Sequence, residues 1–332
     1  MRRIVFAPDI SPADDPFVDL GDRAGPVEWV RLSGLPANAI ERRIRRPRLS
    51  RYRAAWQVAE AAKPGAVVIS GLPRMTAAVS GALALRGKRP PHLGFAFNFT
   101  DLPVGGDRTR LARMFARVTQ FTPFSAFERG LYASYFDIDP AKIAPVIWTQ
   151  EAPPLAPSGL ERARPYVCAI GGEARDFGTL LAALAKRPAG VDAIIIARPH
   201  SIGGLPVPEG VEVMSNIPFD VTWRIAADSL GVLVPLRNAE TCCGHLTLVC
   251  AKLLGIPLVT SFSEGTAEYV EGRAGVLVTP PRDVAALRGA IERLADEQQA
   301  MRAAAEAAVL TETAFHHRSK WADYLADFIN AH

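Results

Sequence analysis

The chain has 332 residues, 49% of them hydrophobic and 22% charged, which is enough for two domains with separate cores. Its net charge of +4 is small, and no nucleic-acid-binding motif accompanies the arginines, so we expect no nucleic-acid partner. The sequence shows no apolar run long enough to cross a bilayer, no signal-peptide pattern and too few cysteines for a disulfide framework. These properties predict a cytoplasmic protein.

Short β-branched segments alternate with helical segments along the first half of the chain. Strands are predicted at 3–7, 27–32, 66–70, 92–97, 120–124 and 143–148, with helices at 75–86, 107–117 and 126–136 between them. Apolar strands that alternate with helices are typical of parallel sheets covered on both faces. We therefore predict a Rossmann-like domain over residues 1–152.

The segment 41–53 of this first half is strongly basic. Its arginines are Arg42, Arg43, Arg45, Arg46, Arg48, Arg51 and Arg53. Such a cluster is either a solvated face or a surface that attracts anionic lipid head groups or a phosphate-rich acceptor. The second interpretation predicts peripheral docking on the inner face of the cell membrane.

A proline-rich segment without periodicity, residues 149–165, indicates a linker before the pattern resumes. Strands are predicted at 166–170, 192–197, 211–213, 231–236, 257–261 and 275–278, with helices at 177–186, 221–227, 245–254 and 284–305. We expect a second Rossmann-like domain over 163–314, facing the first across a cleft. An apolar face within 320–330 needs a partner surface, so residues 315–332 are expected to return to the N-terminal domain.

Three strands of the second domain are followed by glycine-containing turns that lead into helices. In open α/β sheets, ligands bind beyond the carboxyl ends of strands, where helix N-termini point their amides outward. The relevant residues are Gly171, Gly172 and Arg175 in the first turn, Gly244 in the second, and Gly265 and Thr266 in the third. Each turn alone is also what a capped helix requires, but together they suit a nucleotide diphosphate. Neither a dinucleotide fingerprint nor a Walker loop is present, which disfavours NAD and ATP.

Three of the four cysteines lie near a histidine, as Cys242, Cys243 and Cys250 around His245. A metal site and a cysteine nucleophile with a histidine base are the two chemical alternatives. Adjacent cysteines cannot easily turn both sulfurs to one ion, and Cys250 falls inside a predicted helix, where a thiol packs as a small hydrophobe. We expect no metal, and we favour small thiols in a turn beside phosphates.

Residues 244–297, beginning GHLTLVCAKLLGIPLVTSFSEGTAEYVEGRAGVLVTPPRD, resemble the donor-binding half of GT-B glycosyltransferases of the group-1, family 4-like class. GGEARDFGTLLAAL (171–184) resembles the opening of the same domain, and FNFTDLP (97–103) and FSAFERGLYASYF (124–136) match more loosely. The resemblance implies a metal-independent glycosyltransferase with the GT-B fold. Its donor would be a UDP- or GDP-type nucleotide sugar, and its acceptor a glycan or lipid-linked intermediate of a bacterial surface polysaccharide.

The resemblance also assigns residues by position. It places the diphosphate at Gly171, Gly172, Arg175, Gly244, His245 and Thr247, the base at Ile217 and Pro218, and the donor sugar near Glu240. Two departures stand out: Cys250 occupies the position of the family's second glutamate, which binds ribose, and Asp176 follows Arg175 where a lysine is common nearby. Ribose recognition is therefore expected to come from elsewhere.

Candidates for acid–base chemistry come from turns that follow strands. If transfer inverts the anomeric centre, a base must accept the acceptor proton. Asp101 in the NFTDLP turn is the first candidate, with a turn-forming role as its alternative, and Asp9 is the next. His200, after a strand of the second domain, is either a sugar or phosphate contact or a surface histidine.

Two other functions remain open at this point. A catalytically silent GT-B partner subunit would explain the missing second glutamate and the small N-terminal domain. A nucleotide-sugar epimerase shares the architecture, but the sequence shows no acid–base constellation that aligns with that chemistry.

Overall fold

The computed structural model describes residues 1–9, 20–44, 48–172 and 174–332. They form two compact units, one of Met1–Ile147 with Arg318–His332 and the other of Trp148–His317. None of the described helices is both long enough and apolar enough to span a membrane.

The first unit contains a parallel sheet of five strands in the order β2-β1-β3-β4-β5. The strands are β1 (Arg2–Ala7), β2 (Val27–Arg31), β3 (Val67–Gly71), β4 (His92–Phe95) and β5 (Gln120–Thr122). The helices are α1 (Ala39–Arg43), α2 (Leu49–Ala61), α3 (Pro73–Leu85), α4 (Gly105–Phe115) and α5 (Ala126–Phe136), with 3-10 turns at Gly21–Ala24 and Pro140–Lys142.

The strand predicted at 143–148 does not form. Only Ile143 pairs with Phe121, in an isolated bridge. The amides of Ala144 and Val146 still donate to the carbonyls of Phe121 and Pro123, at 2.9 Å each. Pro123 and Pro145 have no amide hydrogen, so the reciprocal bonds of a ladder are missing.

Helix α12 (Ser319–Ala331) belongs to the first unit, which confirms the expected return of the C-terminal segment. Its Trp321 ring packs edge-on against Phe95 at 5.2 Å and stacks on Phe124 at 6.2 Å. The Trp321 indole also donates to the Ile147 carbonyl at 2.8 Å. The apolar face of the helix thus packs aromatic surface into the unit, and the Trp321 indole nitrogen is hydrogen-bonded.

The second unit contains a parallel sheet of six strands in the order β11-β10-β9-β6-β7-β8. The strands are β6 (Tyr166–Ile170), β7 (Asp192–Ile196), β8 (Val211–Met214), β9 (Val232–Val234), β10 (Leu258–Ser261) and β11 (Val276–Thr279). The helices are α6 (Phe177–Leu184), α7 (Phe219–Ala227), α8 (His245–Leu253), α9 (Ala267–Val270), α10 (Val284–Asp296) and α11 (Gln298–Phe315), with a 3-10 turn at Pro199–Ser201.

The helix predicted over 284–305 is divided at Glu297 and extends to Phe315. Glu297 leaves the helical conformation, with φ −100° and ψ 19°. Helix α10 packs against α6 whereas α11 packs against α8, so the break redirects the chain from one partner helix to the other.

Strand order in the second unit reverses between β6 and β9. The chain proceeds from β6 to β7 and β8 in one direction, and from β9 to β10 and β11 in the other. In an open parallel sheet, the loops beyond the carboxyl ends of strands diverge at such a switch point and leave a crevice where ligands bind. The turns after β6 and β9 lie at this position.

Candidate functional site

The turn after β6 is built around the guanidinium group of Arg175. Gly171 has φ +129°, and a Cβ atom at this residue would lie 2.8 Å from the Arg175 Nη2 atom. The Arg175 Nε donates to the Ile170 carbonyl at 3.3 Å, and Nη2 donates to the Thr247 hydroxyl at 3.2 Å. The glycine is therefore needed both for the backbone conformation and for the space that the arginine occupies.

Arg175 remains a cation in this setting. Burial lowers its pKa to about 10, which still leaves it protonated at neutral pH. A carbonyl and a hydroxyl, both uncharged, accept hydrogen bonds from it. A guanidinium group attracts phosphate oxygens and can bind two of them at once, and the Arg175 side chain as a whole is half-buried.

Helix α8 begins beside Arg175, and its amino end is not capped by a side chain. Gly244, its N-cap residue, has φ +108°, and a Cβ atom there would lie 3.5 Å from Arg175 Nη1. By contrast, Asp176 caps α6 and Asp283 caps α10. The first-turn amides of α8 and the guanidinium group thus form a positive pair at the switch point.

His245 is the first residue of α8, and it supplies its backbone amide to the site rather than a charged side chain. Its Nε2 lies 3.0 Å from the Gly265 carbonyl, which can only accept, so this nitrogen carries the proton. Burial, aided slightly by the charge of Arg175, lowers the pKa of His245 to about 4. The neutral ring packs edge-on against Tyr269 at 4.8 Å and is turned away from solvent.

The third predicted phosphate turn, after β10, is occupied by packing contacts. Gly265 and Thr266 are buried, and a Cβ atom at Gly265 would lie 2.8 Å from the Cys242 Cα atom. The Thr266 hydroxyl donates to the Ser263 carbonyl at 3.3 Å. Helix α9, which follows, has only four residues, so the close backbone approach explains the glycine here.

The cysteines near His245 differ in their surroundings. Cys242 and Cys250 are buried, and burial raises the pKa of the Cys250 thiol. Cys243 is half-buried beside Arg175, and its thiolate would raise the pKa of that arginine. Within the described part of the chain, no three histidine, cysteine or acidic side chains are grouped to hold a metal ion.

The other predicted donor-site residues lie at the same edge of the sheet but outside the Arg175 cluster. Glu240 is exposed, and its amide donates to the Asn238 carboxamide at 3.1 Å. His200 is exposed in the turn after β7, next to Gly172, where a Cβ atom would lie 3.1 Å from the Ser201 hydroxyl. Half-buried Ile217 and exposed Pro218 follow β8, two strands away from β6.

Two arginines at this edge were not predicted from the sequence. Arg237 and Arg282 line a cavity of about 290 Å³ together with Arg175, Phe177 and Ser201. The Arg282 Nε donates to the Arg237 carbonyl at 2.9 Å, which ties the two loops together. Each arginine is the third residue after a strand, so the rule that selected Arg175 could have selected them.

In the first unit, the loop that carries Asp101 is fixed by the buried carboxylate of Glu128. Glu128 accepts from the Asn98 carboxamide and the Tyr132 hydroxyl, both at 2.7 Å. The Phe99 amide in turn donates to the Tyr132 oxygen at 3.0 Å. Asp101 itself is exposed at the end of this loop.

Asp9, the second candidate base, is enclosed by guanidinium groups. Its carboxylate is 2% exposed and accepts from Arg51 Nε at 3.0 Å and from Arg48 Nη1 at 3.3 Å. A general base must reach the proton it abstracts. This enclosure assigns Asp9 a structural ion pair instead.

The basic segment is therefore not a uniform solvated face. Besides Arg48 and Arg51, Arg53 is also engaged, through Glu41 at 2.8 Å and the Leu35 carbonyl at 3.0 Å. The remaining arginines of the described part, Arg42 and Arg43, are exposed on α1, and Arg45 and Arg46 lie outside the described residues.

No family model and no curated protein matches the sequence. Solved structures are similar over its whole length. HepE of Anabaena in complex with UDP-glucose gives a TM-score of 0.76 at 13% identity, covering 100% of both chains. Sucrose-phosphate synthase of Thermosynechococcus elongatus gives 0.73 at 14% identity, covering 100% of this chain and 99% of that one.

The lipopolysaccharide outer-core galactosyltransferase WaaB gives a TM-score of 0.60 at 14% identity, covering 98% of this chain and 99% of that one. At 13–14% sequence identity, similarity to a solved structure is evidence for a shared fold and for nothing further. The chain has the GT-B fold, which confirms the fold predicted from the sequence.

Proposed function

We propose that this GT-B chain is a glycosyltransferase that moves a sugar from a nucleotide-diphosphate sugar to a hydroxyl acceptor. The observation that carries the proposal is the positive pair at the switch point, formed by Arg175 and the uncapped amino end of α8. UDP is the favoured nucleotide because the similar protein HepE binds UDP and UDP-glucose.

The positive pair suits the chemistry of this transfer. As the bond between the anomeric carbon and the diphosphate breaks, negative charge grows on the leaving oxygen. Fixed donors aimed at that oxygen stabilise the transition state more than the ground state. We assign this role to the Arg175 guanidinium and the first amides of α8, with Arg237 and Arg282 as further cations at the same edge. On this assignment the charge is offset by protein groups without a metal cofactor.

Calorimetric titration with UDP tests the proposal. The Arg175→Gln variant should bind UDP about ten- to a hundredfold more weakly, because a charged hydrogen bond is lost. Arg293→Gln, which removes an exposed arginine of α10, is the matched control and should bind as the wild type does. No binding of UDP, GDP or ADP by the wild type would refute the donor assignment.

For the acceptor, we propose a lipid-linked glycan presented at a membrane surface, which would also support a role in bacterial polysaccharide assembly. A groove of about 300 Å³ between α2, α3 and α4 is lined by several alanines, by Tyr52, Trp56 and Leu85, and by Arg74 and Arg110, which share Asp107 as their ion-pair partner. Exposed apolar side chains beside arginines favour the boundary between lipid tails and anionic head groups.

Co-sedimentation with anionic vesicles tests this surface. Leu85 is 82% exposed in the groove, and Leu310 is 84% exposed in the second unit, so Leu85→Ser and Leu310→Ser are matched substitutions. Leu85→Ser should reduce vesicle binding severalfold and Leu310→Ser should not. Equal binding of both variants, or none by the wild type, would remove the membrane proposal and leave the donor proposal intact.

A catalytically silent GT-B subunit is the second candidate, favoured by Cys250. This residue replaces the acid of the resembling family and is 0% exposed in α8, so it offers no group to a ribose. UDP binding without turnover of UDP-glucose in the presence of acceptor lipids would favour that candidate.

A further inference from the structure

A cavity of about 450 Å³ lies in the first unit, away from the loop that carries Asp101. It is bounded by the end of α3, by residues 88–92 leading into β4, and by the turn between α4 and β5. These segments surround the amino ends of β4 and β5, whereas Asp101 follows the carboxyl end of β4. The cavity is thus separate from both candidate sites described above.

Three cations line this cavity, namely Lys88, Arg89 and Arg117, and no acidic side chain does, while His332, which follows the end of α12, completes the wall. Lys88 is partly committed, because its ammonium donates to the Ala62 carbonyl at 2.8 Å. Arg89 and Arg117 are exposed and make no hydrogen bond or ion pair within the described ranges of the chain.

The partial negative charges at the carboxyl ends of the nearby helices do not offset the positive charge of the three cations. Helix α3 ends at Leu85 and α4 ends at Phe115, and each carboxyl end carries about half a unit of negative charge. Helix α12 ends at Ala331, next to His332 in the wall, so three such ends carry roughly one and a half units of negative charge, and three cations are present. The excess leaves the cavity electropositive.

The polar groups of the wall are already held in place. Thr119 Oγ1 accepts from the His92 amide at 2.9 Å, and Ser80 Oγ donates to the Met114 carbonyl at 2.6 Å. His92 Nε2 lies 2.8 Å from Ser70 Oγ, and burial lowers the pKa of this imidazole to about 3, so it is neutral. A pre-formed wall of this kind needs little ordering when a ligand enters.

We propose that this cavity binds the phosphomonoester of a small organic molecule, as an effector site that goes beyond the proposed transferase activity. Arg89 and Arg117 would grip the phosphate, since guanidinium groups match its oxygens in pairs. Leu83, Pro90 and Pro91 give the cavity an apolar side that a bare ion would not use. Its volume falls in the range of small-molecule pockets and suits a sugar phosphate or a nucleoside monophosphate.

Calorimetric titrations of the full chain with glucose 6-phosphate, AMP and inorganic phosphate test the proposal. At least one organic phosphate should bind saturably and more tightly than inorganic phosphate. Whether glucose 6-phosphate or AMP binds more tightly then shows whether the ligand is a sugar phosphate or a nucleoside monophosphate. Arg89→Gln and Arg117→Gln should each weaken that binding about tenfold or more. Arg113→Gln removes an exposed arginine of α4 outside the cavity and should leave binding unchanged.

UDP binding by the same variants shows that they are folded and separates this proposal from the donor site. The proposal is overturned if no organic phosphate binds at millimolar concentration, or if inorganic phosphate binds equally well. It is also overturned if Arg113→Gln loses as much affinity as the two cavity variants, because the effect would then be one of net charge.

Discussion

Glu128 in the first unit and Glu312 in the second are both buried carboxylates, yet their pKa values are displaced in opposite directions. Glu128 is 0% exposed and Glu312 is 3% exposed. The pKa of Glu128 is raised to about 7, whereas that of Glu312 is lowered to about 2. Burial alone would raise both, so the difference must come from the neighbours.

The donors around Glu128 carry no charge. Besides Asn98 and Tyr132, the Phe124 amide and the Ser125 hydroxyl donate to it, both at 3.0 Å. These four bonds lower the pKa of Glu128, but they do not offset the loss of water around the carboxylate. Glu128 therefore titrates near neutral pH.

The donors around Glu312 include a buried cation. Lys252 Nζ lies 2.7 Å from its carboxylate, and Arg273 Nη1 lies 3.5 Å away. Lys252 also donates to the Tyr269 carbonyl at 2.9 Å and to His316 Nε2 at 3.0 Å, so its three hydrogens are all used. His316, whose Nε2 lies 3.5 Å from the carboxylate, and the cations Lys252 and Arg273 together lower the pKa of Glu312 despite its burial, which four neutral donors do not achieve for Glu128.

Removing that ammonium group should give the largest effect. Lys252→Met keeps the length of the side chain but leaves Glu312 with Arg273 and a neutral histidine. Breaking one side of a buried pair costs about 3–5 kcal/mol, so we expect the free energy of unfolding in urea to fall by that amount. The pKa of Glu312 should rise at the same time.

Two controls separate pairing from packing. Lys186→Met removes an exposed lysine of the same unit and should change the unfolding free energy little. Lys252→Met combined with Glu312→Leu removes both charges and should recover most of the loss, because apolar pairs replace buried ion pairs well. A single Lys252→Met variant as stable as the wild type would show that the pair contributes nothing.

Glu128 should give a smaller effect with a defined pH dependence. Its pKa is about 7 in the folded chain and near 4.5 when exposed, so the folded state holds the extra proton between these values. The stability from this group is fully present below pH 4.5 and is lost as the pH rises to about 7, by about 3 kcal/mol at most.

Thermal unfolding of wild type and Glu128→Gln over this pH range measures that contribution. The variant should be less stable at every pH, because its amide cannot accept all four donors, but the difference should shrink as the pH rises. Glu312 contributes nothing to this slope, since its stabilisation is lost only as the pH falls from 4.5 towards 2. A pH-independent difference would contradict the raised pKa of Glu128.

The two carboxylates also show what the sequence could predict. The spacing of Ser125 and Glu128 is that of a capping box at the start of α5, a local pattern that sequence alone can identify. Lys252 and Glu312 are sixty residues apart and meet only because α11 packs against α8. No local sequence pattern predicts that contact, because Lys252 occupies what looks like an ordinary core position of α8.

In the donor site, too, features that involve residues close in sequence could be predicted, whereas contacts between distant residues could not. Gly171 and Arg175 are close in sequence, so the strand–turn–helix pattern was enough to select them. The contact of Arg175 with Thr247 and the enclosure of Asp9 by Arg48 and Arg51 depend on how the strands are ordered. The basic segment was therefore easy to notice, but its internal ion pairs could not be inferred from composition.

The smallest expected effect concerns the second cation beside Glu312. Arg273 is 23% exposed and lies farther from the carboxylate than Lys252, and its guanidinium group sits 4.3 Å from the centre of the Phe315 ring. Arg273→Gln should therefore cost less than about 1 kcal/mol in urea unfolding, as partly solvated pairs do. Arg273→Lys keeps the charge but weakens the stacking on Phe315, so it distinguishes the two contributions. If Arg273→Gln destabilised the chain as much as Lys252→Met, the two cations would contribute equally to holding the buried carboxylate of Glu312, against this prediction.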